Sequence, residues 1–237
     1  MDQPSSYRDE FYFPCPRGIS RGARWYSDVI TLPMLEEAYW HGIFPWPDED
    51  EDEDAEIPWV FPGHRGLILP GVFHIPHTVL RLMKKNLYEV RIDTAFEQVI
   101  RNCAERNDGE PTWITSAVIG AYLEFHRAGW AHSFEVWNRE TGALAGGLYG
   151  VSIGGVFAGE SMFYRESGAS KIALAALGLT LKQCGVQLLD TQMVTPVTSL
   201  FGAEYYPAAA YQKCLIQFRG EPLSTEQLRV GLSSKMP

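Results

Sequence analysis

Between Trp113 and Gln192 the chain carries an order of elements that few folds can satisfy. ITSAVIGAYLEFHRAG places Val118, Ala121, Tyr122 and Phe125 on one helical face, with Thr115 as N-cap and Gly129 as the stop. HSFEVWN and ALAGGLYGVS then alternate as strands about a turn from Asn138 to Gly142, and GGVFAGESMF predicts a third strand. ASKIALAALGLTLKQCG reads as a long Ala/Leu helix ending at Gly185, and VQLLDTQMV as a strand. YPAAAYQKCL begins a last helix, with Pro207 near its first turn. A strand meander, a helix and a further strand on the same sheet make an α+β domain with a mixed sheet.

Upstream the chain is irregular. LPMLEEAYWHG is a short helical candidate, with Leu32, Leu35, Ala38 and Tyr39 recurring at helical spacing and Gly42 as its stop. GIFPWP is an apolar corner pinned by prolines, and eight acids within residues 48–56 follow it. Eight like charges repel and cannot be packed together, so this run is expected to be a solvated loop. It either joins two parts of the chain or steers basic ligands. The expected division is a small N-terminal domain over 1–62, holding that loop, and a larger domain over 63–237. Within the latter, HTVLRLMKK reads as a short basic helix and YEVRID as a strand.

The formal charge of −9 counts against a nucleic-acid ligand until its source is located. The acid run supplies −8 of it, and residues 63–106 carry seven basic against four acidic side chains. At 46% hydrophobic and 13% aromatic, the chain has enough apolar surface for a substantial core. The N-terminus has no apolar signal region, and no uncharged apolar stretch reaches the roughly 18 residues of a membrane span. A cytoplasmic protein with no membrane contact is expected. The four cysteines are far apart and form no CxxC pair, which suits isolated reduced thiols.

Three polar residues stand out in apolar strands: Asp190 and Gln192 of LLDTQM, two apart and so expected on one face, and Glu160 of GESMF. Such groups need partners when buried, and together they can hold and deprotonate an amine. A strand-end acid can equally be a satisfied hydrogen-bond acceptor. Trp46, Trp59, Phe61 and Trp113 lie at element ends, where rings either line a cleft and stack a base or pack in the core. Arg81, Lys84 and Lys85, flanked by Arg65 and Arg91, can meet phosphates, although a solvated helix face has the same pattern. His74 and His77 lack a third ligand nearby, so no metal site is expected. GxxxxGK[ST] and strand-linked GxGxxG are absent, and RESGAS only approaches a coenzyme-A pyrophosphate loop, so no cofactor is expected.

GIFPW, TWIT, AHSFEVW, GGLYGV, GESMF, ASKIAL and DTQ occur in this order with compatible spacing. The series resembles the bacterial leucyl/phenylalanyl-tRNA–protein transferase family over about residues 35–215. The resemblance implies a monomeric cytoplasmic enzyme with an acetyltransferase-like (GNAT-like) domain that works without coenzyme A. It would move Leu or Phe from charged tRNA to the α-amine of proteins beginning with Arg or Lys, marking them for N-end rule degradation. By motif it makes Asp190 and Gln192 the pair that orients the amine and accepts its proton, with Glu160 in support. Trp46 and Trp113 would surround the terminal adenosine. Leu148, Phe157, Leu174 and Leu177 would line the donor side-chain pocket, and Arg81, Lys84 and Lys85 would meet the tRNA. One departure stands out: after DTQ the family's Asp–His pair is replaced within Thr195–Gly202. It keeps two alternatives open: aminoacyl transfer to another amine, or binding of tRNA or basic N-termini without turnover.

Overall fold

The computed structural model describes residues 12–13, 22–47, 56–105 and 112–233. The acid run lies outside the described residues except for Glu56.

Residues 22–47 and 56–62 form a small antiparallel sheet and one helix. Strand β1 (Gly22–Ser27) leads into α1 (Leu32–His41). The helix ends where Gly42 adopts φ +78° and returns its N–H to the last turn. Strands β2 (Phe44–Pro45) and β3 (Ile57–Pro62) complete a sheet of order β1-β3-β2. GARWYS was not legible as a strand because only one of its faces packs, against Trp59, leaving alternate residues half-covered.

The second sheet begins at once with β4 (His64–Ile68). Helix α2 (His77–Met83), strand β5 (Tyr88–Ile92), helix α3 (Phe96–Ala104) and helix α4 (Ser116–Arg127) follow. The Thr115 hydroxyl accepts the Val118 N–H and caps α4, as its sequence indicates. Strands β6 (Ala131–Asn138), β7 (Leu144–Ile153) and β8 (Val156–Tyr164) then form the expected meander. Helix α5 (Ala169–Gln183) crosses over to β9 (Leu188–Gln192). The short α6 (Pro196–Ser199), β10 (Glu204–Pro207), α7 (Ala208–Phe218) and α8 (Thr225–Ser233) end the described chain. The helix begun by YPAAAYQKCL is therefore not the last, and Pro207 closes a strand ahead of it.

The seven strands run in the order β10-β4-β9-β8-β7-β6-β5. Every neighbouring pair is antiparallel except β8 and β9, which the α5 crossover makes parallel. This is the α+β arrangement on a mixed sheet expected from the sequence. One face packs on α5, α2 and α8 through Ile172, Leu177, Leu181 and Leu228. The other packs on α3, α4 and α1 through Val99, Phe125, Leu35 and Tyr39, and this cluster continues into Phe44 and Trp59 of the small sheet.

Candidate active site

The parallel pairing of β8 with β9 is brief. Val156, Phe157 and Ala158 oppose Leu188, Leu189 and Asp190, and beyond these residues the strands part. Each strand also carries a β-bulge on its far side at this level. Tyr149 faces Ser161 while Gly150 faces Gly159, which leaves Glu160 as the extra residue on β8. Leu67 faces Asp190 while Gly66 faces Gln192, which leaves Thr191 extra on β9. Bulges re-aim side chains and increase local twist, so the two strands turn away from one another. Both bulges need glycine opposite. A Cβ on Gly150 would lie 2.3 Å from the Ala158 carbonyl oxygen, and one on Gly66 2.7 Å from the Met193 backbone.

The gap opens into a pocket of about 250 Å³. Leu148, Met162, Leu174, Leu177 and Leu189 form its apolar wall, Trp46 and Trp113 line it beside them, and Glu160, Gln192 and Thr195 supply polar groups. The two indole rings are stacked, with centroids 5.2 Å apart and planes 12° from parallel.

A chain of polar contacts runs beneath the pocket. Gln192 donates from Nε2 to Glu160 Oε1 at 2.9 Å, and Tyr122 Oη donates to Glu160 Oε2 at 3.5 Å. Tyr122 is in turn hydrogen-bonded to Tyr39 of α1, both being buried. Burial pushes the Glu160 carboxyl up to about 7, against the opposing effect of its hydrogen bonds from Tyr39 and Gln192. The residue keeps partial exposure, so a group poised to exchange a proton near neutral pH faces the pocket.

Asp190 occupies a different place from the one its spacing implies. It is 0% exposed, is not among the pocket-lining residues, and accepts from Arg65 Nε at 2.8 and 2.9 Å and from Arg65 Nη2 at 2.7 Å. The bulge at Thr191 breaks the two-residue period, so Asp190 and Gln192 do not present their side chains side by side. They are joined instead through the backbone, with Gln192 N donating to Asp190 Oδ1 at 2.8 Å. Gln192 itself adopts φ +56°, and Met193 N closes back on the Thr191 carbonyl at 2.5 Å in a tight turn. A left-handed conformation at a residue other than glycine costs on the order of 1–3 kcal/mol, held here by those bonds.

Other expected site residues divide clearly. Leu148, Leu174 and Leu177 line the pocket. Phe157 does not: it lies in the still-paired part of β8, is fully buried, and packs on Phe134 with centroids 6.4 Å apart while its ring fills the space over Gly150. Trp59 and Phe61 are core residues, and the Trp59 indole N–H donates to Ser27. Arg81, Lys84 and Lys85 are exposed on α2 and the turn after it. Arg65, grouped with them in sequence, is buried, and Arg91 pairs with Glu89 and lies over the Trp137 ring. Sequence reasoning missed Tyr39, Tyr122, Met162 and the structural part played by Arg65. The two tyrosines had a visible signal, a hydroxyl on an otherwise apolar helical face that must find a partner when buried.

The family described as leucyl/phenylalanyl-tRNA protein transferase matches residues 67–216 of the chain. A leucyl/phenylalanyl-tRNA–protein transferase of Oleidesulfovibrio alaskensis is 41% identical over 209 residues, covering 86% of this chain and 83% of that protein. One from Saccharophagus degradans is 43% identical over 189 residues, covering 79% and 75%. Among solved structures, FemX overlaps with a TM-score of 0.49 at 10% identity, covering 78% of this chain and 70% of that one. The chain belongs to the leucyl/phenylalanyl-tRNA–protein transferase family and is an aminoacyltransferase. Among the described residues no helix is long and apolar enough to cross a membrane.

Proposed function

We propose that the enzyme moves leucyl or phenylalanyl groups from charged tRNA to the α-amine of proteins beginning with Arg or Lys, as a cytoplasmic monomer serving N-end rule degradation. The observation that carries the chemistry is the Glu160–Gln192 bond on the wall of an apolar pocket. The donor ester is already activated, so the enzyme's task is to place a neutral amine against the carbonyl and move one proton. The amine nitrogen bonds to the carbonyl carbon as the bond from that carbon to the ribose oxygen breaks. Glu160 takes the amine proton and returns it to the leaving oxygen.

Leu148, Met162, Leu174, Leu177 and Leu189 receive the donor side chain, and the outer faces of the Trp46–Trp113 stack receive the terminal adenine. Arg81, Lys84 and Lys85 meet acceptor-stem phosphates, a contact that carries little sequence information and weakens with salt. The sequence-based assignment of Asp190 as proton acceptor gives way to Glu160, because Asp190 is occupied by Arg65 and lies off the pocket.

The test is transfer of label from Leu-tRNA or Phe-tRNA to peptides with N-terminal Arg or Lys. Labelled peptide with wild type, formed about 10²–10⁴-fold more slowly by Glu160→Gln, supports the assignment. Absence of labelled peptide overturns it, and product with other amines, or tRNA binding without product, selects one of the two alternatives instead.

A further inference from the structure

We infer that Arg65 is a positioning residue of this site: with Asp190 it fixes the backbone of Gln192 in the conformation that carries its amide across the gap to Glu160. The inference rests on the proposed reaction and extends it to a residue that touches neither substrate.

Arg65 is 1% exposed and is held from every side. Its guanidinium carbon lies 4.7 Å from the Phe44 ring centroid and 4.5 Å from that of Tyr211. Nη1 donates to the Gly42 carbonyl at 3.1 Å, and Nη2 approaches Tyr211 Oη at 3.4 Å. The Gly42 that ends α1 and the Phe44 of GIFPW thus fix the guanidinium, and the guanidinium fixes Asp190. Asp190 Oδ1 then accepts the N–H of Gln192, a residue that would otherwise leave φ +56° for a less strained conformation. From that backbone the side-chain amide reaches Glu160 at 2.9 Å. A planar fork is needed, because a lysine at position 65 would supply one point charge and could not engage both carboxylate oxygens and the Gly42 carbonyl in fixed directions.

The pair also acts on Glu160, whose carboxyl is raised chiefly by burial. Asp190 raises the affinity of the Glu160 carboxyl for its proton and Arg65 lowers it, so with both present the two charges oppose one another. Removing one partner leaves the other's effect uncompensated. Among the described residues, Gln192 bonds to Glu160 and Tyr39, Tyr122, Tyr149 and Tyr211 interact with it, and burial holds all four phenols well above their usual range, so none is charged near neutral pH.

The experiment measures kcat and KM for transfer from labelled Leu-tRNA to an Arg-initiated peptide across neutral pH. It compares wild type, Arg65→Lys, Arg65→Gln, Asp190→Asn and the double variant Arg65→Gln with Asp190→Asn. Arg65→Lys is expected to lower kcat by about 10- to 100-fold with KM for charged tRNA little changed, as a small misplacement near reacting atoms does. The acid limb of the pH profile is expected to move up with Arg65→Gln and down with Asp190→Asn. In the double variant, which keeps hydrogen-bonding groups but no charge, it returns toward wild type. Wild-type kcat in Arg65→Lys, or movement of both limbs in the same direction, overturns the inference. Should the charged single variants fail to fold, the double variant decides: an unshifted limb with kcat below wild type supports the inference, and a shifted limb or wild-type kcat overturns it. Absence of transfer by wild type overturns the proposed reaction, an outcome separate from any of these.

Discussion

Gln192 Nε2 meets Glu160 Oε1 at 2.9 Å across the gap that opens where β8 and β9 stop pairing. Each residue sits at a β-bulge, two positions beyond Ala158 and Asp190, the last residues through which β8 and β9 pair. The bond thus spans a break in the sheet with side chains, where the main chain can no longer do so. It also turns one carboxyl toward an apolar pocket, and this single placement generates most of the behaviour expected of the enzyme.

Replacing Glu160 by Gln keeps a side chain that can accept from Gln192 but removes the titratable proton. It should lower kcat by about 10²–10⁴-fold. In wild type, kcat should rise with pH through about 7 as Glu160 ionises, and the variant's residual rate should lose that limb. Steady-state transfer over a pH series checks both.

The same substitution should stabilise the protein at alkaline pH. The Glu160 carboxyl titrates near 4.5 when unfolded and near 7 when folded, so the native state holds the extra proton between those values. Its stabilising contribution is complete below about 4.5 and is lost as pH rises through about 7. Glu160→Gln should therefore gain on wild type by on the order of 1–3 kcal/mol in going from about pH 5 to about pH 8. Urea or thermal unfolding at both pH values would show it. A constant difference would contradict it.

Pocket size should control the donor. Trimming Leu177 to Ala removes contacts from the apolar wall and should cost a leucyl donor about 10- to 200-fold in kcat/KM, with a smaller loss for the bulkier phenylalanyl donor. Leu174→Phe should narrow the same wall and reverse the order. Competition between Leu-tRNA and Phe-tRNA for one acceptor peptide measures the ratio directly.

Charge on α2 should be read by tRNA alone. Arg81, Lys84 and Lys85 are exposed, so reversing Lys84 to Glu should leave stability within about 0.5 kcal/mol. Binding of charged tRNA should weaken, and the slope of log affinity against log salt should fall by about 1. Acceptor-peptide KM at saturating tRNA should not move. A filter-binding salt series gives the slope.

Gly66→Ala tests the bulge on β9. Its new Cβ would meet the Met193 backbone at 2.7 Å, where nothing flexible can give way. Overpacking of this kind costs about 1–3 kcal/mol, and the displaced strand end should lower kcat by misplacing Gln192. Thermal unfolding and transfer kinetics on the same preparation separate the two effects.

How far the sequence reaches depends on whether a signal is local. Helix α4 was legible to its cap because Val118, Ala121, Tyr122 and Phe125 repeat at helical period and Thr115 bonds within its own turn. The meander was legible from alternation, and Leu148, Leu174 and Leu177 through family motifs that keep their spacing. Strands β1 and β4 were missed, because each is short and its partner lies far along the chain: Trp25 opposes Trp59, and Gly66 opposes both Tyr205 and Gln192. Helix α3 was missed although Phe96, Val99, Ile100 and Cys103 recur at helical spacing.

At the site the difference is sharper. The sequence by itself determined the acidic and amide residues, the tryptophans, the α+β order and the family, because these rest on residue type, period and order along the chain. Only the tertiary structure decided what each residue does. A strand period of two predicts Asp190 and Gln192 on one face, but the bulge at Thr191 is set by Gly66, on a strand more than a hundred residues earlier. That pairing turns Asp190 to Arg65 and Gln192 to Glu160, while Phe157, in the still-paired part of β8, packs on Phe134 instead of lining the pocket. The burial that lifts the Glu160 carboxyl to about 7 comes from the packing of several elements around one carboxyl, so it has no counterpart in any short stretch of sequence.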